Sequence, residues 1–366
     1  MVEPDFSGSY APGDVSFLLR RLSLSPTSLG EREQLIQSGQ RHYSEMIGPE
    51  DAPKRERVRL FRECLAANGP RHAADLVALS DALAGSAPGR QLVIVSIARA
   101  GTPVGVLLRR LLLSRHGWPE DSVRHCSISV IRDRGADLHA VRHIAACYGA
   151  ENIRFVDGWT GKGTIATELH SSLSAAPDLA TVASGLWVPL DVCGCASWAV
   201  SEDDYLIPSS LLGGTISGLV SRSILPHADI GLPEFHGCVE LQHLRRYDLS
   251  RWFVRHLEAL CATVAATVLK PPRAPNSARF AESQRFITSL MGEFGIADRN
   301  RVKLGIGESV RVALRRAPDR ILLREAVSPD ANFIIRLAAL RGIPVELRAE
   351  MPFAAVALIA SVIARP

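Results

Sequence analysis

Long apolar stretches are missing from this chain of 366 residues. The longest, at 257–269 and 354–364, fall short of the roughly 20 residues a membrane-spanning helix needs, so no membrane partner is expected. The N-terminus lacks the basic n-region and apolar h-region of a secretory signal. Cysteine is sparse: seven residues, odd in number and scattered, argue against a disulfide framework and for a reducing, cytoplasmic setting. Cys193-Gly-Cys195 has no second Cys or His pair at ligand spacing, so it reads as structural rather than as a zinc site. Net charge is low as well. A formal +4, carried mostly by arginine, excludes a dominant nucleic-acid tail or membrane patch. What is present is apolar residue in quantity, 47% of the chain, enough for one large core or two.

Residues 1–88 read as a helical N-terminal extension, with helical spacing from Asp14 and a further helix over 54–67. From Gln91 the pattern changes. Short β-branched runs at 92–97, 126–131, 153–156 and 186–190 alternate with amphipathic stretches at 104–116, 138–148 and 163–173. That alternation predicts an α/β fold: a parallel sheet with helices on both faces. Ligands of such sheets sit beyond the carboxyl ends of the strands, where Arg99, Arg132 and Asp157 all fall. The core is expected over 89–269, its last helical stretch at 249–269. Residues 270–280, beginning Lys270-Pro-Pro-Arg-Ala-Pro, read as a linker. Residues 281–366 then form a small α/β domain, with strands at 320–325 and 343–347 around a helix at 330–340.

The richest segment is 153–165: a buried strand, the carboxylate of Asp157, a Gly/Thr/Lys loop, and a helix starting at Gly163. Gly158, Gly161 and Gly163 let backbone N–H groups converge, the helix aims its positive end at the same point, and Thr160, Lys162 and Thr164 add hydroxyls and a charge. The pattern suits a phosphate with a sugar-gripping acid beside it; the bland alternative is an ordinary strand-to-helix turn. It is neither a Walker loop nor a dinucleotide fingerprint, because the glycine spacing differs from both.

This loop resembles that of type I phosphoribosyltransferases, in which an acidic pair and Thr-Gly-x-Thr bind the ribose 5-phosphate of phosphoribosyl pyrophosphate (PRPP). Here Val156 stands at the first acid position, so one carboxylate is missing. A wider set of motifs follows in order: Phe6-Ser-Gly-Ser-Tyr10, Gln40-Arg-His-Tyr-Ser-Glu-Met46, Ser96-Ile-Ala-Arg-Ala-Gly-Thr102, Ser129-Val-Ile-Arg-Asp-Arg-Gly135, Asp203-Asp-Tyr-Leu-Ile-Pro-Ser209 and Ser217-Gly-Leu-Val-Ser-Arg222. Over about residues 5–260 the chain resembles a bacterial family of tellurite-resistance and stress gene clusters, labelled both phosphoribosyltransferase-like and cysteine protease StiP. From Ile306 the tail resembles the Pelota-type RNA-binding module often fused to it. Two departures are Leu212-Gly-Gly-Thr215, where the family has Asn before the Ser/Thr, and Asp191-Val-Cys-Gly194 in place of an Asp-Pro-Ala-Gly-like stretch.

The resemblance implies ribosyl transfer from PRPP, or a related phosphoribosyl compound, to an unidentified base-like acceptor, giving a nucleotide-like metabolite. Residues 160–164 with Gly158 would hold the 5-phosphate and Asp157 the ribose. Arg99, Ala100, Gly101 and Thr102 would form the pyrophosphate loop, with Arg132 closing over the leaving group. Mg²⁺ would bridge substrate oxygens with weak help from Asp157. Asp204 is the expected general base, and Asp203, Ser217 and Arg222 the expected acceptor contacts. Each has a plain structural alternative: a βα turn for Arg99, a solvated ion pair around Arg132, a helix-start acidic cluster for Asp203. Two other functions compete. A cysteine protease would draw on Cys193, Cys195 or Cys238 with His236 or His42, none of them in a recognisable nucleophile signature. A non-catalytic binder would sense PRPP or a nucleotide and touch structured RNA through Arg311, Arg315 and Arg316. A homodimer is compatible with either.

Overall fold

The computed structural model describes residues 6–87, 89–265, 273–316 and 318–361. In chain order the N-terminal part supplies β1 (Ser16–Phe17), β2 (Arg20–Arg21), α1 (Leu29–Gln37) and the long α2 (Arg55–Gly85). The core follows with β3 (Leu92–Ile97), α3 (Thr102–Ser114), β4 (Val123–Ile128), the small hairpin β5 (Val130–Ile131) and β6 (Gly135–Ala136), and α4 (Leu138–Tyr148). It continues through β7 (Ile153–Val156), α5 (Thr164–Ser174), β8 (Leu186–Leu190), β9 (Trp198–Ser201), β10 (Gly237–Cys238) and α6 (Ser250–Ala262). The C-terminal module comprises α7 (Ser277–Glu293), β11 (Val302–Leu304), α8 (Ile306–Arg315), β12 (Pro318–Leu323), α9 (Pro329–Arg341), β13 (Val345–Leu347) and β14 (Ala355–Ile359).

Six strands form one sheet in the order β1-β4-β3-β7-β8-β9, every neighbouring pair parallel. Every residue of β3 and β8 is buried, which explains their unbroken apolar sequences: a strand covered on both faces has no solvent side to mark with polar residues. After β3 the chain adds β4 on one side, then returns to place β7 on the other. That reversal is the switch point at which parallel sheets open a crevice, and the loops after β3 and β7 flank it.

Those two loops press backbone on backbone. A side chain on Gly101 would put its Cβ 2.8 Å from the Val156 carbonyl oxygen, and one on Gly158 would lie 2.9 Å from that of Ala100. Glycine at both positions is therefore a packing requirement.

The stretch from Asp14 departs from the helix its spacing suggests. Val15, Phe17 and Leu19 enter one core cluster while Leu18 enters another, a period of two, and β1 pairs with β4 at the sheet edge. The helix expected at 54–67 continues to Gly85, and the one expected at 249–269 ends at Ala262. Residues 266–272, including the start of the expected linker, lie outside the described residues, and α7 begins at Ser277.

The C-terminal sheet has the order β11-β14-β12-β13, with β14 antiparallel to both neighbours and β13 parallel to β12. It shares its core with the larger sheet. Leu76 and Leu107 belong to one buried cluster with Ile321 and Leu337, and Trp159 and Tyr205 to another with Ile287 and Phe353. Arg336 pairs with Glu63 at 2.5 Å and Asn68 Nδ2 donates to Asp330 Oδ1 at 2.7 Å, so polar contacts also cross the seam.

The loop contact gives a direct test. Gly158→Ala and Gly101→Ala should each destabilise the fold by about 1–3 kcal/mol in urea unfolding, the usual cost of forcing atoms into a packed core. Gly292→Ala in α7 meets nothing within 4 Å and should be neutral or stabilising. Equal effects at all three positions would mean that the loops are not in register as described.

Candidate functional site

A cavity of about 600 Å³ opens at the switch point. Its walls come from the β3 and β7 loops, from segments around Tyr43 and Glu50, from 209–223, and from β11 and α8. Cationic side chains around it outnumber anionic ones more than twice over, and among the described residues neither cysteine nor histidine lines it.

The loop after β7 is built as its glycines suggest. Gly163 adopts a positive φ of 89° and leads into α5 without a side-chain cap. The amides of residues 161–166 donate no hydrogen bond within the described residues, so the orphan donors of a helix start face the cavity. Asp157 accepts from the Gly158 amide at 2.7 Å, and burial pushes its carboxyl up to about 7 despite that bond and nearby Arg311.

Several expected ligand contacts are already committed elsewhere. The Thr160 hydroxyl donates to Asp191 and the Thr160 amide to the Leu190 carbonyl, which pins the loop to the end of β8. Thr102 is fully buried, its hydroxyl 2.9 Å from Ser127 Oγ. Lys162 Nζ donates to the Arg299 carbonyl at 2.6 Å; burial first, then neighbouring cations, bring its amine down to about 7. Ala100, Gly158, Thr160, Gly161, Gly163 and Thr164 belong to the loops described, whereas Gly101 lies packed beneath Asp157.

Arg99 is not held free for an anion. Its guanidinium pairs with Glu50 and donates to the Val220 carbonyl at 3.0 Å. Burial would raise the Glu50 carboxyl, but Arg99, Arg315 and the Gly214 amide outweigh it and hold it at about 2. Arg132 bonds Asp133 at 2.8 Å and stacks over Tyr43 at 4.8 Å; Arg222 covers the same ring at 5.1 Å and is tied to the Tyr43 and Met46 carbonyls. Ser217 lines the cavity with its hydroxyl bonded to the Gly213 carbonyl at 3.1 Å.

Asp204 and Asp203 have other work. Asp204 accepts from the Ile306 amide at 2.8 Å and the Ala354 amide at 3.0 Å, clamping the start of α8 and the approach to β14. A carboxylate engaged in this way anchors the C-terminal module and does not reach the large cavity, so it is no general base there. Asp203 is exposed and pairs with Arg71 outside the cavity.

For Mg²⁺ the donor set is thin. The carboxylate acting on Asp157 is Glu308, already bonded to Trp159 and Arg311, and no group of three His, Cys, Asp or Glu among the described residues is placed to hold a metal. These side chains do not fit a resident ion, and no step is derived through one.

Sequence reasoning noted Tyr43 only as part of a motif and missed Glu50, Glu308 and Lys303, because each reaches the cavity from an element distant in the chain. Arg311 and Arg315, expected to face RNA, point into the same cavity. The cysteines also sort themselves. Cys64, Cys193, Cys238 and Cys261 are buried with their thiols pushed upward by desolvation. Neither His236, bonded to Ser129 at 2.8 Å, nor His42, bonded to Ser44 at 2.8 Å, is hydrogen-bonded to a cysteine among the described residues. Cys195 is partly exposed and rests against the glycine loop. Its Sγ lies 3.5 Å from Asp191 Oδ1 and 3.9 Å from the Gly161 carbonyl.

The Asp157 carboxyl sets a pH test. Its ordinary value of 3.8 in the unfolded chain rises to about 7 in the fold. Between those values the folded state binds the extra proton, so stability falls as pH rises from about 4 to 7. Asp157→Asn removes that loss. Its stability relative to the parent should grow by about 1–3 kcal/mol over that window and level off above it. A pH-independent difference in urea unfolding would refute the assignment.

Residues 8–258 match the family model described as tellurite-like stress resistance cysteine protease StiP, and residues 281–361 match the Pelota RNA-binding domain. Cysteine protease StiP of Acinetobacter baylyi is 37% identical over 375 residues, covering 98% of this chain and 95% of the relative. No solved structure matches the chain. The expected ribosyl transfer from PRPP is thereby overturned, since family model and relative alike carry the name of a peptidase. The physical reason is visible in the loop: the hydroxyls of Thr160 and Thr102 and the guanidinium of Arg99 are spent on protein partners, and Val156 leaves Asp157 as the lone acid. By the extent and identity of these matches, the chain belongs to the StiP family of tellurite-like stress resistance cysteine proteases.

Proposed function

We propose that the chain is a thiol-dependent peptidase with Cys195 as its nucleophile. The observation that carries this reading is the seat of the thiol. A Cβ on Gly163 would lie 3.4 Å from Cys195 Sγ, so the sulfur sits beside the backbone that opens α5. The unpartnered amides of residues 161–166 are there to receive an oxyanion, and a helix start favours negative charge. Cys147, which has His143 Nε2 at 3.8 Å, sits near the carboxyl end of α4, where the helix opposes a thiolate.

Burial and Asp191 keep the resting Cys195 thiol protonated, well above its ordinary range. Asp191 already accepts from Thr160, the Cys193 amide and the Ala196 amide, which makes it an orienting group and a poor base. Lys162 belongs to the adjoining glycine loop, whose Gly161 carbonyl lies 3.9 Å from Cys195 Sγ, and with its amine brought down to about 7 it is the candidate base. In the proposed step the sulfur bonds to the scissile carbonyl carbon as its proton passes to the neutral Lys162 amine. That proton then leaves with the departing peptide amine as the C–N bond breaks, and water hydrolyses the thioester. The lack of cysteine and histidine among the described residues of the cavity wall favours a second reading, ligand binding without cleavage. Likeness to the Pelota domain supports an RNA partner for the module's outward faces.

Cleavage of unfolded casein, followed by mass spectrometry, separates these readings. Cys195→Ala should lower the rate by at least about a hundredfold, in line with loss of a covalent nucleophile, while Cys147→Ala should leave it unchanged. Cleavage by Cys195→Ala at the parental rate would overturn the assignment, and no cleavage by the parent chain would favour the binder.

A further inference from the structure

The C-terminal module does more than adjoin the cavity, because its helix rests on the glycine loop. A Cβ on Gly161 would lie 3.2 Å from Glu308 Cγ, and one on Gly307 would meet the Trp159 ring at 3.4 Å. Trp159 Nε1 donates to Glu308 at 3.2 Å, Glu308 accepts from Arg311 at 2.7 Å, and Arg311 lies over the Trp159 ring at 5.5 Å. One turn further, Arg315 donates to the Leu212 carbonyl at 3.2 Å, beside the Glu50–Arg99 pair. From β11, Lys303 faces the cavity, and its ammonium makes no hydrogen bond among the described residues.

This face of α8 is turned inward. Arg311 and Arg315, which the sequence suggested as a basic face for RNA, line the cavity. The charge they bring is also more than the cavity's carboxylates offset. Burial first, and then neighbouring cations, lower the Arg315 group to about 9; burial, opposed by Glu308 and assisted by Arg132, Arg316 and Arg311, brings Lys303 to about 8. Eleven cationic side chains line this cavity against five carboxylates, so the site is short of negative charge.

We propose that the C-terminal module closes a polyanion site: a small ligand bearing two or more phosphate or carboxylate groups binds between Arg311, Arg315 and Lys303 on one side and the residue 161–166 amides on the other. The site stands whether or not Cys195 cleaves peptides, since it rests on the cavity wall and not on the thiol.

Isothermal titration of the full chain at low salt tests it with two probes, inorganic tripolyphosphate and citrate. Saturable binding of either supports the proposal, and the stronger of the two identifies the anion class. Arg311→Ala and Lys303→Met should each weaken binding at least tenfold, whereas Arg320→Ala, on β12 of the same module and outside the cavity lining, should leave it unchanged. Thermal unfolding of each variant keeps loss of binding distinct from loss of fold, and the half-exposed Arg311 is the variant least tied to folding. Absence of saturable binding to both probes, or binding that neither substitution weakens, overturns it. So does a result in which these substitutions weaken binding of a structured RNA hairpin but not of either small anion.

Discussion

Between the loop after β3 and the loop after β7 there is no room for a side chain. The carbonyl oxygens of Val156 and Ala100 stand where a Cβ on Gly101 or Gly158 would go, and this approach of backbone to backbone places everything around it. It fixes Arg99 at the end of one strand and Asp157 at the end of its neighbour. It also sets the level at which the residue 161–166 amides emerge, because Thr160 is locked to Leu190 and Asp191 on the far side of the same loop. A displacement of either loop would move the whole anion-facing surface at once.

On that frame sits an electrostatic imbalance. Two like charges about 5 Å apart repel by roughly 3 kcal/mol at an effective dielectric of 20, so a cluster of enclosed cations is costly unless it is matched. Glu50 matches part of it. Shared between Arg99 and Arg315, it stays ionised even though burial opposes it. Replacing such a partner leaves its cations buried and alone, which is why a pair of this kind says little about net stability and much about arrangement. The arrangement here joins the N-terminal segment, the β3 loop and α8 of the C-terminal module. The module is held by Asp204, by the shared core and by this charge cluster, so it is part of the site and not an appended domain.

Much of the fold was legible because buried parallel strands announce themselves. The apolar runs at β3, β7 and β8 needed no tertiary information, and α4 coincides with its expected span. The segment at 14–22 was misread because four apolar residues close together satisfy helical and extended periods alike, and pairing with β4 decided between them. The site was legible in its backbone and not in its side chains. Glycine spacing foretold a loop of free amides, but a hydroxyl's preference for a ligand or for a protein acceptor depends on what lies across from it. Thr160 met Asp191, Thr102 met Ser127, and Lys162 met the Arg299 carbonyl, partners that the fold alone brings near. The motifs mark the family in the sequence, whereas the ribosyl transfer they suggest is not the activity that the family's description names.

Cys195 and the cavity share a single set of donors. An oxyanion formed on a carbonyl attacked by Cys195 needs the amides at the start of α5, and so does a phosphate or carboxylate lodged in the cavity. A ligand gripping Arg311 and Arg315 while leaving the amides open would be compatible with attack by the thiol; one that reaches down to them would compete with it. The length of the anion thus decides whether it lies with the substrate or in its place. That choice is written in the few residues separating α8 from the glycine loop, where Glu308 already rests on Gly161 and Trp159.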